Sequence, residues 1–177
     1  MNIDEFFLKS VGEWNSMRSG HSLAFQEFEE IRSRIKIIPA KSNDSRVIKF
    51  LKDNLITTNS VNKAFLINWE AKSVWGEENQ KENSSGESIL VPIEVSKTEG
   101  KIIRSVGYTE AVQVVSLYRI LDDGTLIIYS NYSHICTEER IWFISSNLRS
   151  RSSVTRTIDS LAILQTSYAS EIRYVKK

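Results

Sequence analysis

Arg149, Arg151 and Ser153 recur at every second position of ERIWFISSNLRSRSS, residues 139–153. Side chains alternate between the two faces of a strand, so a regular strand puts these three on one face. Two guanidiniums beside a hydroxyl suit a dianionic ligand, because each planar fork can hold a carboxylate through two hydrogen bonds. Glu139 opens the same stretch, and Glu171 sits in the strand-like TSYASEIRYV near the end of the chain. A strand carboxylate turned inward needs a donor, either an arginine or an N–H group of a ligand. Trp69 and Trp75, six residues apart, share a face of a straight strand and would give a ligand a flat wall. Each group has an ordinary alternative: arginine and glutamate usually face water, and tryptophan usually fills a core.

Other reactive types are scarce. Cys136 is the single cysteine, and His21 and His134 are the two histidines, which leaves no disulfide framework and no zinc pattern at standard spacing. His134 would share a strand face with Cys136, but a Cys–His pair lacking a third group to orient the base reads as an ordinary strand position. His21 lies in a turn-like stretch near Arg18 and could be structural or pocket-facing. Lys plus Arg number 23 against 22 Asp plus Glu, a balance that argues against bulk nucleic-acid binding. No apolar run approaches the roughly 20 residues of a membrane span. The start, MNIDEFFLKS, has acids where a signal peptide has bases, so a cytosolic location is expected.

The elements that would carry these groups are mostly strands. The 177 residues suffice for one domain with a real core, and no linker or repeat divides them. Residues 2 to about 16 open with helical spacing, capped by Asn2 or Asp4, with Phe6, Phe7, Val11 and Trp14 on one side. Residues 12–29 read as a strand entered through a turn, and Ile31, Ile35 and Ile37 continue a period of two. Val47, Ile48 and Leu51 fit a short helix capped by Asp44 or Ser45. VNKAFLINWEAKSVW reads as a strand, and GEENQKENSSGES as a polar loop.

From Ser88 onward, strand-like runs alternate with turn signals: ILVPIEV, KIIRSVGYTE, AVQVVSLYRIL, TLIIYSNYSHI, RIWFI and TSYASEIRYV. Asp123-Gly124 between two of them is a strong hairpin signal. Pro92 points to an edge position or a bulge, and VTRTIDSLAIL fits strand or loop. Eight or more short hairpin-connected strands with one or two small helices point to a mostly β fold, an antiparallel up-and-down barrel. Neither face of its strands is cleanly apolar, as a barrel that holds one small ligand requires.

At these residues the chain resembles the S-type phycobiliprotein lyases, the CpcS/CpeS family. The opening FFLKSVGEWNSMRSGHSLAF carries Phe6-Phe7, Ser10, Gly12, Trp14, Ser16, Arg18, His21 and Leu23-Ala24-Phe25 as that family does. Trp69, the Trp75-Gly76 pair, GYTEAV at 107–112 and DDGTLIIYSNY fit as well. ERIWFISSNLRSRSSV resembles the signature E-R-I-W-F-x-x-P-N-L-R-x-R-x-S, with Ser146 in place of its proline, and YASEIR resembles the closing S-E-I-R. SLAILQTSYA lacks the cysteine often found before that motif.

The resemblance implies a lipocalin-like antiparallel barrel over residues 1–177. It would bind a linear tetrapyrrole as substrate, without a prosthetic group or metal, and pass it to an acceptor protein. Arg149 and Arg151 would take the two propionates of the bilin, and Ser153 would add a hydroxyl donor. Glu139 and Glu171 would face the pyrrole nitrogens and serve proton delivery. Trp69 and Trp75 would stack on the rings, and Arg18 would sit at the pocket mouth or in the core. The implied reaction forms a thioether between phycoerythrobilin and a cysteine of an α or β phycobiliprotein subunit of phycoerythrin or phycocyanin type. It would run in the cytoplasm, or in the plastid stroma of an alga. A homodimer through an edge strand such as ILVPIEV stays open. Two other readings remain: a non-catalytic carrier of a hydrophobic acid or bilin, of which a fatty acid would offer no N–H to two inward carboxylates, and a scaffold that only binds the acceptor, which would leave Arg149 and Arg151 unexplained.

Overall fold

The computed structural model describes residues 1–41, 43–56, 63–73, 83–105 and 114–175. Trp75, the Trp75-Gly76 pair, GYTEAV and the first part of the GEENQKENSSGES run lie outside the described residues. Ten strands follow one another: β1 (Gly12–Ser22), β2 (Glu27–Pro39), β3 (Phe65–Ser73), β4 (Asn83–Glu94) and β5 (Glu99–Arg104), then β6 (Val114–Ile120), β7 (Leu126–Tyr132), β8 (Ile135–Ser145), β9 (Leu148–Thr157) and β10 (Ile163–Arg173). Each pairs antiparallel with its sequence neighbour, and β10 closes onto β1 to make an up-and-down barrel. Two short helices complete it, α1 (Ile3–Ser10) and α2 (Ser45–Asp53). No helix among the described residues is long and apolar enough to cross a membrane.

Helix α1 starts at a capping box. Asn2 Oδ1 accepts the Glu5 N–H at 2.9 Å, and Glu5 Oε2 accepts the Asn2 N–H at 2.9 Å. It ends at Ser10, so Trp14, expected to continue the helical stripe, stands on β1 instead. The near-helical spacing of Val11 and Trp14 came from two elements whose inner faces meet in one core. Ile3, Phe6 and Phe7 of α1 are buried against Trp14, Phe65, Leu126 and Ile141, closing one end of the barrel. Burial of each such side chain contributes about 1.5–3 kcal/mol. Helix α2 packs Val47 and Leu51 against Ala64, Leu66 and Val91 on the outside of β3 and β4.

Two boundaries differ from the sequence reading, and one stretch left open between strand and loop resolves into both. Residues 12–29 hold a turn between β1 and β2, with Gln26 in the left-handed region at φ 55°. The polar SSGES is not loop but the first half of β4, with Ser85 opposite Glu70 and Gly86 opposite Trp69. Polarity misled here because backbone pairing does not need apolar side chains, and Gly86 is required where it stands: a Cβ there would collide with the Trp69 ring. VTRTIDSLAIL divides into the end of β9, a turn and the start of β10. The Asp123-Gly124 hairpin joins β6 to β7, with Gly124 at φ 83°.

Pro92 pairs with Ile102 of β5 and lies beyond Leu90, the last β4 residue partnered on β3. It thus occupies a local edge inside a closed barrel. Val91 beside it is buried under α2.

Candidate ligand-binding site

The hairpin β8–β9 and its neighbour β10 set the polar wall of the barrel. Their register places Arg149 opposite Phe143 on one side and Glu171 on the other. Arg151 stands opposite Ile141 and Ala169, and Ser153 opposite Glu139 and Ser167. Period-two alternation therefore turns all of these residues inward together. Glu171 accepts a short hydrogen bond from Arg149 Nε, and its second oxygen lies 3.6 Å from Arg151 Nε. Glu139 Oε1 accepts from Arg151 Nη1 at 3.0 Å. The four side chains form one chain of alternating charge.

Their environments differ. The Arg149 and Glu171 side chains are 2% and 1% exposed, and those of Arg151 and Glu139 are 31% and 18% exposed. Burial pushes the Arg149 guanidinium down to about 10 against the pull of Glu171, so it stays cationic at neutral pH. Burial alone would raise Glu171. Arg151 and Arg149, with hydrogen bonds from Arg149 and Ser16, outweigh it and hold the carboxyl below its ordinary value. Desolvation would lower Arg151, but Glu139 and Glu171 override it and hold the guanidinium above its ordinary value.

Trp14 supports this wall from β1. The guanidinium of Arg149 lies 4.4 Å from its ring centroid, and that of Arg173 lies 4.2 Å from it. Its Nε1 donates to Ser10 O at 2.8 Å. Arg173 donates to Val11 O, to Lys9 O at 2.6 Å and to Ser146 O at 3.2 Å, tying α1 and the β8–β9 turn to the end of β10. Among the described residues, two hydrogen-bonding atoms of the arginine pair remain buried without an acceptor, Arg149 Nη2 and Arg151 Nε.

Against the wall lies a cavity of about 420 Å³, within the roughly 300–1,000 Å³ usual for small-molecule sites. Phe6 and Phe7 of α1 floor it, Ile35, Ile37, Ile67 and Ile128 make its sides, and Trp69 lies along it. Glu139, Arg149 and Arg151 line it, whereas Glu171 stands behind the two arginines. Ser153 is outside the cavity lining and shares a 2.7 Å hydrogen bond with Ser167. Arg18 is also outside it, half-exposed in a 3.1 Å ion pair with Glu29. Trp75 lies outside the described residues. The structure thus brings Glu139, Arg149, Arg151 and Trp69 to one cavity and sets Glu171 behind them.

His134 is exposed in the β7–β8 turn rather than on the strand of Cys136, so the pair expected to share a face does not form. Cys136 is opposite Asn131 and Arg156, at the alternate parity from the inward Glu139 and Ile141. His21 packs its ring against Phe28, 5.0 Å between centroids. Sequence reading gave no role to Trp14, Arg173 or Arg104, which also lines the cavity. The signal for Arg104 was present: in GKIIRS it shares a strand face with Ile102, a core residue.

Comparison with known proteins gives a consistent result. A family model described as CpeS-like protein matches residues 2–174. A Trichodesmium erythraeum protein named chromophore lyase CpcS/CpeS 3 is 40% identical over 98% of this chain and 99% of its own. A Microchaete diplosiphon protein named putative phycoerythrobilin lyase CpeS is 35% identical over 84% of this chain and 66% of its own. The solved structure of the S-type phycobiliprotein lyase CPES from Guillardia theta superposes with a TM-score of 0.86 at 32% identity, covering 100% of this chain and 95% of that one.

Proposed function

As a member of the CpeS-like family the chain is a phycobiliprotein chromophore lyase, and we propose that it holds phycoerythrobilin in the barrel and joins it to a phycobiliprotein cysteine through a thioether. The observation that carries this reading is the alternating Glu139–Arg151–Glu171–Arg149 array along one side of the cavity. A bilin offers what such a wall complements: carboxylates for guanidiniums, and pyrrole N–H groups for a carboxylate. A fatty acid has no N–H for Glu139 to accept. The phycoerythrobilin choice rests on the name of the Microchaete relative.

The residues divide into two tasks. Arg151, partly exposed in the cavity, binds a propionate, and Arg149 offers its unpartnered Nη2 behind it. Glu139 lines the cavity and faces the pyrrole nitrogens, where a carboxylate favours the protonated tetrapyrrole and can pass a proton during addition. Glu171 is a positioning residue that fixes both arginines. Trp69 stacks on the ring system. Ser153 and Arg18, off the cavity lining, act only at its periphery. The nucleophile is the acceptor thiol: its sulfur bonds to the exocyclic double bond of ring A, and a proton is added to the neighbouring carbon. The lyase contributes chiefly by fixing the bilin and presenting that bond. The acceptor is an α or β subunit of phycoerythrin or phycocyanin type.

Absorbance tests the reading. The purified protein mixed with phycoerythrobilin should give a red-shifted, sharpened band that weakens in Arg151→Ala and Glu139→Gln. It should then colour an acceptor subunit covalently. Silence with both phycoerythrobilin and phycocyanobilin would return the barrel to the class of fatty-acid carriers. A stronger response to phycocyanobilin would overturn the choice of bilin alone.

A further inference from the structure

Arg104 enters the same cavity from the end of β5, opposite Leu90 of β4 and Val114 of β6. It reaches across β6 to β7, where Nη2 lies 3.5 Å from Ser130 Oγ, itself 2.7 Å from Ser116 Oγ. Among the described residues it has no carboxylate partner. The other two guanidiniums of the cavity are both tied to glutamates. A half-buried cation in a largely apolar cavity is unfavourable without a counter-charge. One long contact to a hydroxyl does not supply it.

We infer that Arg104 is a carboxylate subsite, the anchor for one propionate of the bound bilin. The inference rests on the bilin reading above and extends it to a residue on the far side of the cavity from the β9 arginines. Charge supports the placement. Among the described residues, Arg104, Arg149 and Arg151 face Glu139 and Glu171, leaving one positive charge in excess. A tetrapyrrole with two propionates and one protonated pyrrole system carries one net negative charge, so the loaded cavity is neutral. Without Arg104 the same complex would bury a net negative charge. Hydroxyls equip the subsite as well. Ser105 Oγ accepts the Ile89 N–H at 2.7 Å, leaving its own O–H to donate, and Ser105 and Tyr132 also line the cavity. Arg104 holds one propionate, and Arg151 the other.

The test titrates wild type, Arg104→Gln and Arg104→Lys with phycoerythrobilin and with its dimethyl ester, following absorbance. Circular dichroism and thermal melts check folding. Arg104→Gln should lose about tenfold to a hundredfold in affinity for the diacid, the range of a charged hydrogen bond. It should bind the diester as the wild type does. Arg104→Lys, which keeps the charge without the fork, should fall between. Equal losses for diacid and diester, or no loss for either, would overturn the subsite and leave the bilin reading standing. A wild type that binds neither compound would overturn both. If Arg104→Gln does not fold, the diacid-to-diester ratio of Arg104→Lys decides: a ratio unchanged from wild type rejects the subsite.

Discussion

Two ion pairs built from the same residue types stand side by side on β8, β9 and β10, and they are not equivalent. Arg149–Glu171 joins directly opposed residues and is almost fully buried, at 2% and 1% exposed. Arg151–Glu139 runs diagonally, since Glu139 is opposite Ser153, and its side chains remain 31% and 18% exposed. Two positions along β9 therefore separate a pair whose glutamate stands behind the wall from a pair whose two members both line the cavity. Identical chemistry in sequence acquires different work from depth alone, because the energy of a charge depends on how much water it has lost.

The sharpest way to break the comparison is to remove one glutamate from each pair. Glu171→Gln leaves Arg149 buried without its counter-charge and should lower stability by about 3–5 kcal/mol, read by urea unfolding. Glu139→Gln should lower it by about 1 kcal/mol, because Arg151 keeps water and Glu171 nearby. Chromophore transfer should fall about a hundredfold in Glu139→Gln, measured on protein verified as folded. Equal stability losses would erase the distinction drawn from depth.

Acid sharpens it further. The carboxyl of Glu171 is held below its ordinary value in the folded state. Its contribution is thus complete above the carboxylate pKa of the unfolded chain and is lost as pH falls through the lower folded value. The stability gap between wild type and Glu171→Gln should be widest at neutral pH and narrow on acidification below the ordinary carboxylate range. A gap that stays constant well below that range, where the folded carboxyl is protonated too, would mean that Glu171 stabilises the barrel by packing rather than by charge.

Trp14 gives the next effect. Its ring lies under both Arg149 and Arg173. A desolvated cation–π contact is worth about 2 kcal/mol, so Trp14→Leu should lower stability by about 2–3 kcal/mol. Trp14→Phe, which keeps a π face, should recover a large part of it. Bilin affinity should fall with Arg149 displaced and return with the phenylalanine.

How much of this was legible follows from the same contrast. Period two placed Arg149, Arg151 and Ser153 on one face, and Glu139 with Ile141, because alternation is a local property of any strand. The closed antiparallel barrel was legible from short strands and turn signals. Depth was not legible, since it depends on which strands flank the residue and what covers the barrel end. Glu139 and Glu171 therefore looked interchangeable until β1 and Trp14 were in place. Trp14 itself was read into the helical stripe because α1 and β1 both turn apolar side chains toward one core. Arg104 was legible as an inward position, since it shares a strand face with Ile102, but not in its role: that comes from the carboxylate it lacks, and no single strand displays a missing partner.

The smallest effect is expected at Cys136, where parity decides the chemistry. A covalent intermediate on the lyase would require its thiol to reach the cavity. The inward positions of β8 include Glu139 and Ile141, and Cys136 has the opposite parity, facing outward between Asn131 and Arg156. Its candidate base His134 is in the turn. Cys136→Ser should change stability by no more than about 0.5 kcal/mol and leave transfer to the acceptor near the wild-type rate. The check is the rate at which the acceptor subunit gains covalent colour at fixed bilin concentration. A large loss of that rate, with bilin binding unchanged, would move the bond-forming step onto the lyase and make Glu139 an accessory to it rather than the group that faces the reacting chromophore.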